Sequence, residues 1–142
     1  MTLKCYMADT GLLISQAFSN KRLVDEGVYK NILFHRLGIN EGMFFENIVA
    51  QMLVANGDKL YFYSRSDNEN TENRMEIDFL IERNGKICPI EVKSSSYKRH
   101  ASLDKFTKKF DKRLGKKYII YTKDLKVEDN IVYIPVYMTM FL

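Results

Sequence analysis

Residues Met75–Lys93 read M-E-I-D-F-L-I-E-R-N-G-K-I-C-P-I-E-V-K, and this stretch decides the fold. Two apolar-rich runs flank Asn84-Gly85, a pair suited to a type I′ hairpin turn because both central residues take φ > 0. Such a turn fixes the register. Arg83 then faces Lys86, Asp78 faces Glu91, and Glu76 faces Lys93. Side chains alternate along a strand, so Glu76, Asp78, Glu91 and Lys93 are expected on one face. Ile77, Phe79, Ile81, Cys88, Ile90 and Val92 are expected on the other, and all are apolar. One face is core, and the other gathers three carboxylates and an amine.

Directly opposed residues bring Cβ atoms to about 4.5–5.5 Å. Asp78 against Glu91 is then a like-charge pair that costs stability unless a cation sits between them. Hard divalent ions such as Mg²⁺ use one or two carboxylates plus water and substrate phosphate. Lys93, two residues beyond Glu91, would lie beside such an ion and orient a water or stabilise a charged transition state. The alternative is a solvated face with incidental Glu/Lys pairing. The repulsive opposition beside Lys93 favours a site.

Asp78, followed by Glu91-Val92-Lys93, resembles the D…(D/E)-x-K signature of the restriction-endonuclease-like nuclease superfamily, which includes archaeal Holliday-junction resolvases. Four pieces in order resemble a narrower group, the C-terminal domain-of-unknown-function family attached to many AAA-type ATPases. They are A-D-T-G-L-L at Ala8–Leu13, F-E-N-I-V-A at Phe45–Ala50, E-I-D-F-L-I at Glu76–Ile81 and I-E-V-K-S-S at Ile90–Ser95. The resemblance implies an α/β, restriction-endonuclease-like three-layer core. It also implies a Mg²⁺ or Mn²⁺ site on Asp78, Glu91 and the Val92 carbonyl, with Glu46 as the first-helix acid and Lys93 acting on water or the scissile phosphate. The implied partner is nucleic acid, DNA first, with an ATPase domain upstream in a longer polypeptide.

Composition is compatible with this reading without requiring it. A chain of 142 residues suits one domain with a sizeable core. Residues 1–40 read as a helical lead-in and residues 41–142 as the core. The net charge of +4 permits contact with phosphate backbones. Cys5 and Cys88 are too few for a disulfide framework, and Cys88 falls on the core face. With no apolar run near ~18 residues and no leader-like start, a cytoplasmic protein without membrane contact is expected; self-association is left open. No G-x-x-x-x-G-K-[ST], G-x-S-x-G, H-E-x-x-H or paired C-x-x-C occurs, so a P-loop and the common hydrolase and zinc motifs are excluded.

Along the chain, Leu3–Met7 is a short apolar run, Asp9 an N-cap, and Gly11–Phe18 a short helix. Lys21–Gly38 is a mixed helical stretch, and its His35 has no partners at ligand spacing. Glu41–Asn56 is the clearest helix, with Phe45, Ile48, Val49, Met52 and Leu53 as its core stripe and Gly57 at C′. Glu46 lies at the edge of that stripe and points towards the polar hairpin face. Leu60–Ser64 reads as a strand. Arg65–Arg74 is a polar loop or substrate-facing flap; its Arg65 and Arg74 suit phosphate, whereas Asp67, Glu69 and Glu72 oppose it.

Arg99–Leu114 is expected as a helix with Leu103, Phe106, Phe110 and Leu114 inward, closed by Gly115. Lys98, Arg99, Lys105, Lys108, Lys109, Lys112 and Arg113 form its outward side, with Lys116 and Lys117 beyond. Of these, Lys98, Arg99, Lys105, Lys109 and Lys112 are the candidate nucleic-acid contacts; a merely solvated helix face is the competing reading. Tyr118–Thr122 and Asn130–Tyr137 follow as strands. The element order gives α/β with a mixed central sheet flanked by helices. The functional expectation is a metal-dependent nuclease domain. A non-catalytic module regulating an attached ATPase competes with it, and an ordinary interaction domain is the third reading.

Overall fold

The structure is a computed structural model that describes residues 3–19, 41–66, 74–95 and 97–142. The Lys21–Gly38 stretch with His35, and the centre of the polar loop with Asp67, Glu69 and Glu72, lie outside the described residues. Helix α1 spans Thr10–Ser19 and α2 spans Glu41–Ala55. Strands β1 (Tyr61–Arg65), β2 (Met75–Arg83) and β3 (Lys86–Val92) follow. Helix α3 is Ala101–Phe110, then come β4 (Lys117–Tyr121), β5 (Lys126–Glu128) and β6 (Ile131–Pro135). A 3₁₀ segment, Val136–Phe141, ends the chain.

The strands form one mixed sheet in the order β1-β2-β3-β4-β6-β5. β3, β4 and β6 pair in parallel, and the outer pairs are antiparallel. Parallel central strands need both faces covered, and the continuous apolar run of β4 meets that need. Ile120 packs with Val49, Ala50 and Leu53 of α2, while Ile119 and Tyr121 pack with Leu103 and Phe106 of α3. The sheet is therefore filled on both sides, in three layers. Among the described residues, no helix is long and apolar enough to cross a membrane.

The expected turn is present. Asn84 has φ 55° and Gly85 φ 74°, and the ladder runs from Arg83↔Lys86 to Phe79↔Ile90 in the expected register. At the turn end Arg83 grips Asp58 through both nitrogens, at 2.6 and 2.8 Å, and also donates to the Leu142 carbonyl at 3.1 Å. Asp9 caps α1 as expected, its Oδ1 accepting the Leu12 N–H at 2.9 Å. Gly57, at φ 87°, ends α2 with Gly57 N–H to Val54 O and Asp58 N–H to Leu53 O, the 5→2 and 6→1 bonds of a Schellman motif.

Three expectations fail, each for a local reason. The buried face of α2 is Phe44, Asn47, Val49, Ala50 and Leu53 rather than the stripe through Phe45, Ile48 and Met52. Asn47 turns inward because the extended segment before α1 offers it backbone partners: the Met7 N–H donates to its Oδ1 at 2.8 Å, and its Nδ2 donates to Met7 O at 3.0 Å. The polar/apolar division of the hairpin also fails. Leu80 packs with the α3 cluster and Pro89 is fully buried, because α3 covers the face expected to be open.

Gly115 does not close a helix. α3 ends at Phe110, a 3₁₀ turn spans Asp111–Arg113, and the Gly115 N–H donates to Ile87 O at 2.9 Å. A Cβ at Gly115 would stand 2.8 Å from Cys88 Sγ and 3.3 Å from Lys86 Cβ, so glycine permits the close approach of this segment to β3. Gly115→Ala should therefore cost about 1–3 kcal/mol. The cost should shrink when Cys88→Ala is introduced alongside, since the two sites share the contact. Urea unfolding of the four proteins in this cycle measures it; an equal cost in both backgrounds would remove Cys88 as the cause.

Candidate functional site

The site is built where the β2–β3 ladder ends. β1 and β2 keep Tyr61↔Leu80 and Tyr63↔Ile77 opposite each other, so the single residue Phe62 lies across from both Asp78 and Phe79. This is a β-bulge, which inserts a residue and re-aims the side chains beyond it. Its effect is visible in the packing. Ile77 joins Leu103 and Phe106, whereas Phe79 and Ile81 join Val49 and Leu53. Glu76 and Asp78 thereby turn to the α2 side. There Asp78 Oδ2 accepts the Val92 N–H at 2.8 Å, taking a place that a backbone carbonyl would fill had the ladder continued.

Asp78 and Glu76 meet Lys4, a residue absent from the expected site. Its Nζ lies 2.9 Å from Glu46 Oε1, 2.9 Å from Glu76 Oε1 and 3.2 Å from Asp78 Oδ1. Tyr6 Oη donates to the same Glu46 oxygen, and the Tyr6 ring lies 5.4 Å from the Phe79 ring at a tilt of 38°. Lys4 and Tyr6 share a side because residues two apart do so in an extended chain. The segment is held on α2 by Asn47 and Gln51, one turn apart. Gln51 accepts the Thr10 N–H at 3.0 Å and donates to Ala8 O. Placing Glu46 at the edge of the helix stripe anticipated its reach. The Lys4-x-Tyr6 spacing within the Leu3–Met7 run was the signal for the rest.

Glu91 and Lys93 leave the other side. Glu91 pairs with Ile119, a member of the α3 cluster, while Ile90 and Val92 pack towards α2. The expected single face of Glu76, Asp78, Glu91 and Lys93 is thus split in two by the bulge. All of them nevertheless line one cleft of about 590 Å³, together with Lys4, Glu46, Val92 and Ser102 of α3. The cleft reaches both sides because it opens at the ladder's end. Lys93 Nζ lies 2.6 Å from Glu91 Oε1. Glu91 is only 6% exposed, and its Oε2 has no hydrogen-bond partner among the described residues.

The donor set is hard oxygen throughout, which suits Mg²⁺ or Mn²⁺. Lys4 already stands as a cation among three of the acids. Among the described residues, no three acidic, cysteine or histidine side chains stand close enough to grip an ion directly. Their spacing fits an ammonium, whose N–H···O contacts run to about 2.9 Å, rather than Mg²⁺ at about 2.0–2.1 Å.

The electrostatics follow from crowding. Burial pushes the Asp78 carboxyl up; the Val92 N–H opposes this, Glu46 adds to it and Lys4 opposes it. The result is a pKa of about 6. Burial acts to lower Lys4, but the Glu46 and Glu76 hydrogen bonds and the Asp78 charge outweigh it and hold the ammonium well above its usual range. Burial and the hydrogen bond to Glu46 likewise raise Tyr6.

The expected basic surface is only partly free. Lys98, Arg99 and Lys112 are exposed and Lys105 is half-buried. Lys109 donates to Tyr63 Oη at 3.3 Å and lies over the Phe110 ring at 5.2 Å, so it also serves packing. Ser102, the cleft residue on α3, is one turn before Lys105.

A raised carboxyl pKa stabilises the fold at low pH. The contribution of Asp78 is complete below its ordinary 3.8 and is lost as pH rises through about 6. Relative to Asp78→Asn, the wild type should lose on the order of 2–3 kcal/mol between pH 4 and pH 7. Chemical denaturation of both proteins across that range measures the difference. A flat difference would contradict a buried, crowded Asp78.

No curated protein and no solved structure matches this chain. Residues 41–139, from the start of α2 to the C-terminal 3₁₀ segment, match the model of a domain of unknown function, DUF4143. The match takes in Glu46, Asp78, Glu91 and Lys93 but begins after Lys4. The chain belongs to the DUF4143 family, which is often found with AAA ATPases.

Proposed function

We propose that the cleft is a divalent-cation-dependent phosphodiesterase centre on a restriction-endonuclease-like core. It acts on nucleic acid, DNA in the first instance, as the C-terminal domain of an AAA-type ATPase. One observation carries the reading. Three acids from α2, β2 and β3, Glu46, Asp78 and Glu91, and Lys93 just beyond β3 line one cleft, and a buried Glu91 oxygen lacks a partner among the described residues. A buried carboxylate oxygen without a protein partner calls for a water, an ion or a substrate group beside it.

Asp78, Glu91 and the Val92 carbonyl would hold Mg²⁺ or Mn²⁺, with Glu46 assisting. When bound, such an ion neutralises developing phosphoryl charge and lowers the pKa of its water. Lys93 supplies a fixed positive charge beside Glu91, aimed at the charge that develops on a scissile phosphate. Glu91 positions that ammonium through the 2.6 Å contact. Lys98 and Arg99 before α3, Lys105 on it and Lys112 in the 3₁₀ turn beyond it would hold backbone phosphates leading to the cleft. Lys109 joins them with one side of its ammonium already turned to Tyr63.

The threefold pairing of Lys4 favours a second reading, a catalytically silent module that binds nucleic acid or protein and regulates the ATPase. Cleavage assays on branched, single-stranded and duplex DNA and on RNA, with Mn²⁺ and with the ATPase portion attached, separate the two. Under the nuclease reading Lys93→Ala should slow cleavage about a hundredfold or more, with DNA affinity nearly unchanged. Lys105→Glu with Lys112→Glu should instead weaken binding and flatten its salt dependence. No cleavage of any substrate, or equal rates for wild type and Lys93→Ala, would leave the regulatory module as the function.

A further inference from the structure

We infer that the Tyr97 ring, with Lys123 and Lys126, forms a second nucleic-acid contact, a platform that takes an unpaired strand beside the cleft. The inference rests on the nucleic-acid reading above and names the form of the ligand as single-stranded. The platform is an aromatic cluster with cations on its outer side. The Tyr97 ring lies 5.1 Å from that of Tyr121 and 6.2 Å from that of Tyr133, and those two lie 5.6 Å apart. Tyr121 and Tyr133 are buried while Tyr97 is half-buried, so Tyr97 is the ring that meets solvent. The Lys123 Nζ stands 4.9 Å from the Tyr97 centroid and the Lys126 Nζ 5.4 Å from it. One ammonium on a ring is ordinary packing, as Lys109 shows over Phe110. Two on the same ring repel each other and favour an anion beside them.

The local acids supply that anion only to Lys126. Glu128 pairs with Lys126 at 2.5 Å, and Asp104 pairs with His100 at 3.0 Å. Arg99 and Lys123 make no ion pair among the described residues. The hydrogen bond from Lys126 lowers the Glu128 carboxyl most, and the Lys98 charge adds to it, which places Lys98 at the same patch. Against Asp124 and Asp129 on either side of β5, Lys98, Arg99 and Lys123 leave the patch positive. Position joins it to the cleft. The Lys93 N–H donates to Ile120 O at 2.8 Å, so the chain leaving β3 lies against the end of β4, and Tyr97 beyond it packs on Tyr121. Lys98, Arg99 and His100 lead from Tyr97 towards Ser102, which lines the cleft. Ligands of open α/β sheets gather outside the carboxyl ends of the strands, and cleft and platform are neighbours along that edge. Only an unpaired strand uses both parts of the platform. Its bases stack on an aromatic ring while its phosphates meet ammonium groups, whereas duplex bases are already stacked and offer phosphate alone. The flexible lysine stems let the ammonium groups leave the ring for phosphate oxygens as a base takes their place.

Two measurements test this on the 142-residue protein, both without metal. In the first, the fluorescence anisotropy of labelled oligothymidylate and of a labelled duplex reports binding. Tyr97→Leu should weaken oligothymidylate binding about fivefold or more and leave duplex binding nearly unchanged. Lys123→Glu should weaken both and make the salt dependence of each shallower. In the second, a single strand carrying bromodeoxyuridine is photocrosslinked to the wild type, which needs no variant, and peptide mass spectrometry should find the adduct at Tyr97. Equal losses for the two DNA forms in Tyr97→Leu, no loss in either, or crosslinks that avoid Tyr97 would overturn the platform. The nucleic-acid reading survives those outcomes wherever Lys105→Glu with Lys112→Glu still weakens binding. No binding of either DNA by the wild type would overturn both.

Discussion

The hydrogen bond from the Val92 N–H to Asp78 is the contact on which the site depends. Beyond Phe79↔Ile90 the β2–β3 ladder stops, and a strand that loses its neighbour exposes donors that must be satisfied elsewhere. The Asp78 carboxylate satisfies one of them. In doing so it is held at the seam between two strands, half in the core and half in the cleft. The bulge opposite Phe62 makes this possible by turning Asp78 and Glu76 towards α2. Without that extra residue, strict alternation would send Asp78 to the side of Leu80, away from Glu46.

The two ends of this hairpin use different cations for different ends. At the turn, Arg83 meets Asp58 with both nitrogens and adds the Leu142 carbonyl. A planar fork suits a fixed, directional lock. At the open end, Lys4 meets three acids as a point charge, with no geometric demand beyond distance. The first arrangement pins structure, ranking the turn among the firmly held parts of the sheet. The second keeps a cluster of acids compatible with the fold.

Much of this was legible in the sequence, and the failures have physical causes. Asn84-Gly85 fixed the turn and the register from Arg83 to Phe79 because only φ > 0 residues fit a type I′ turn. Asp9 and Gly57 marked helix ends through local backbone chemistry. The bulge was not legible. One extra residue in β2 is defined only by β1, and the intervening chain carries no periodic signal of its own. The short β5 and the terminal 3₁₀ segment were likewise missed, being a few residues long and stabilised by neighbours rather than by pattern. Glu46, Asp78, Glu91 and Lys93, expected together from the hairpin register and the family resemblance, line one cleft but from two sides of the sheet rather than one. Lys4 was missed because the pairs it makes span 42 and 74 residues of sequence.

That separation in sequence has a kinetic consequence. Contacts between near neighbours form early, and those closing long loops come late. The β2–β3 hairpin is the most local part of the sheet, so Asp78 reaches Val92 as soon as the two strands zip from their turn. β4 pairs with β3 only across the connection through α3, and the pairs of Lys4 span 42 and 74 of the 142 residues. The Lys4–Asp78 pair closes a loop of 74 residues and the Asp78–Val92 bond one of 14, so the entropy of loop closure weighs more heavily on the ammonium's contact than on the strand seam that Asp78 ties.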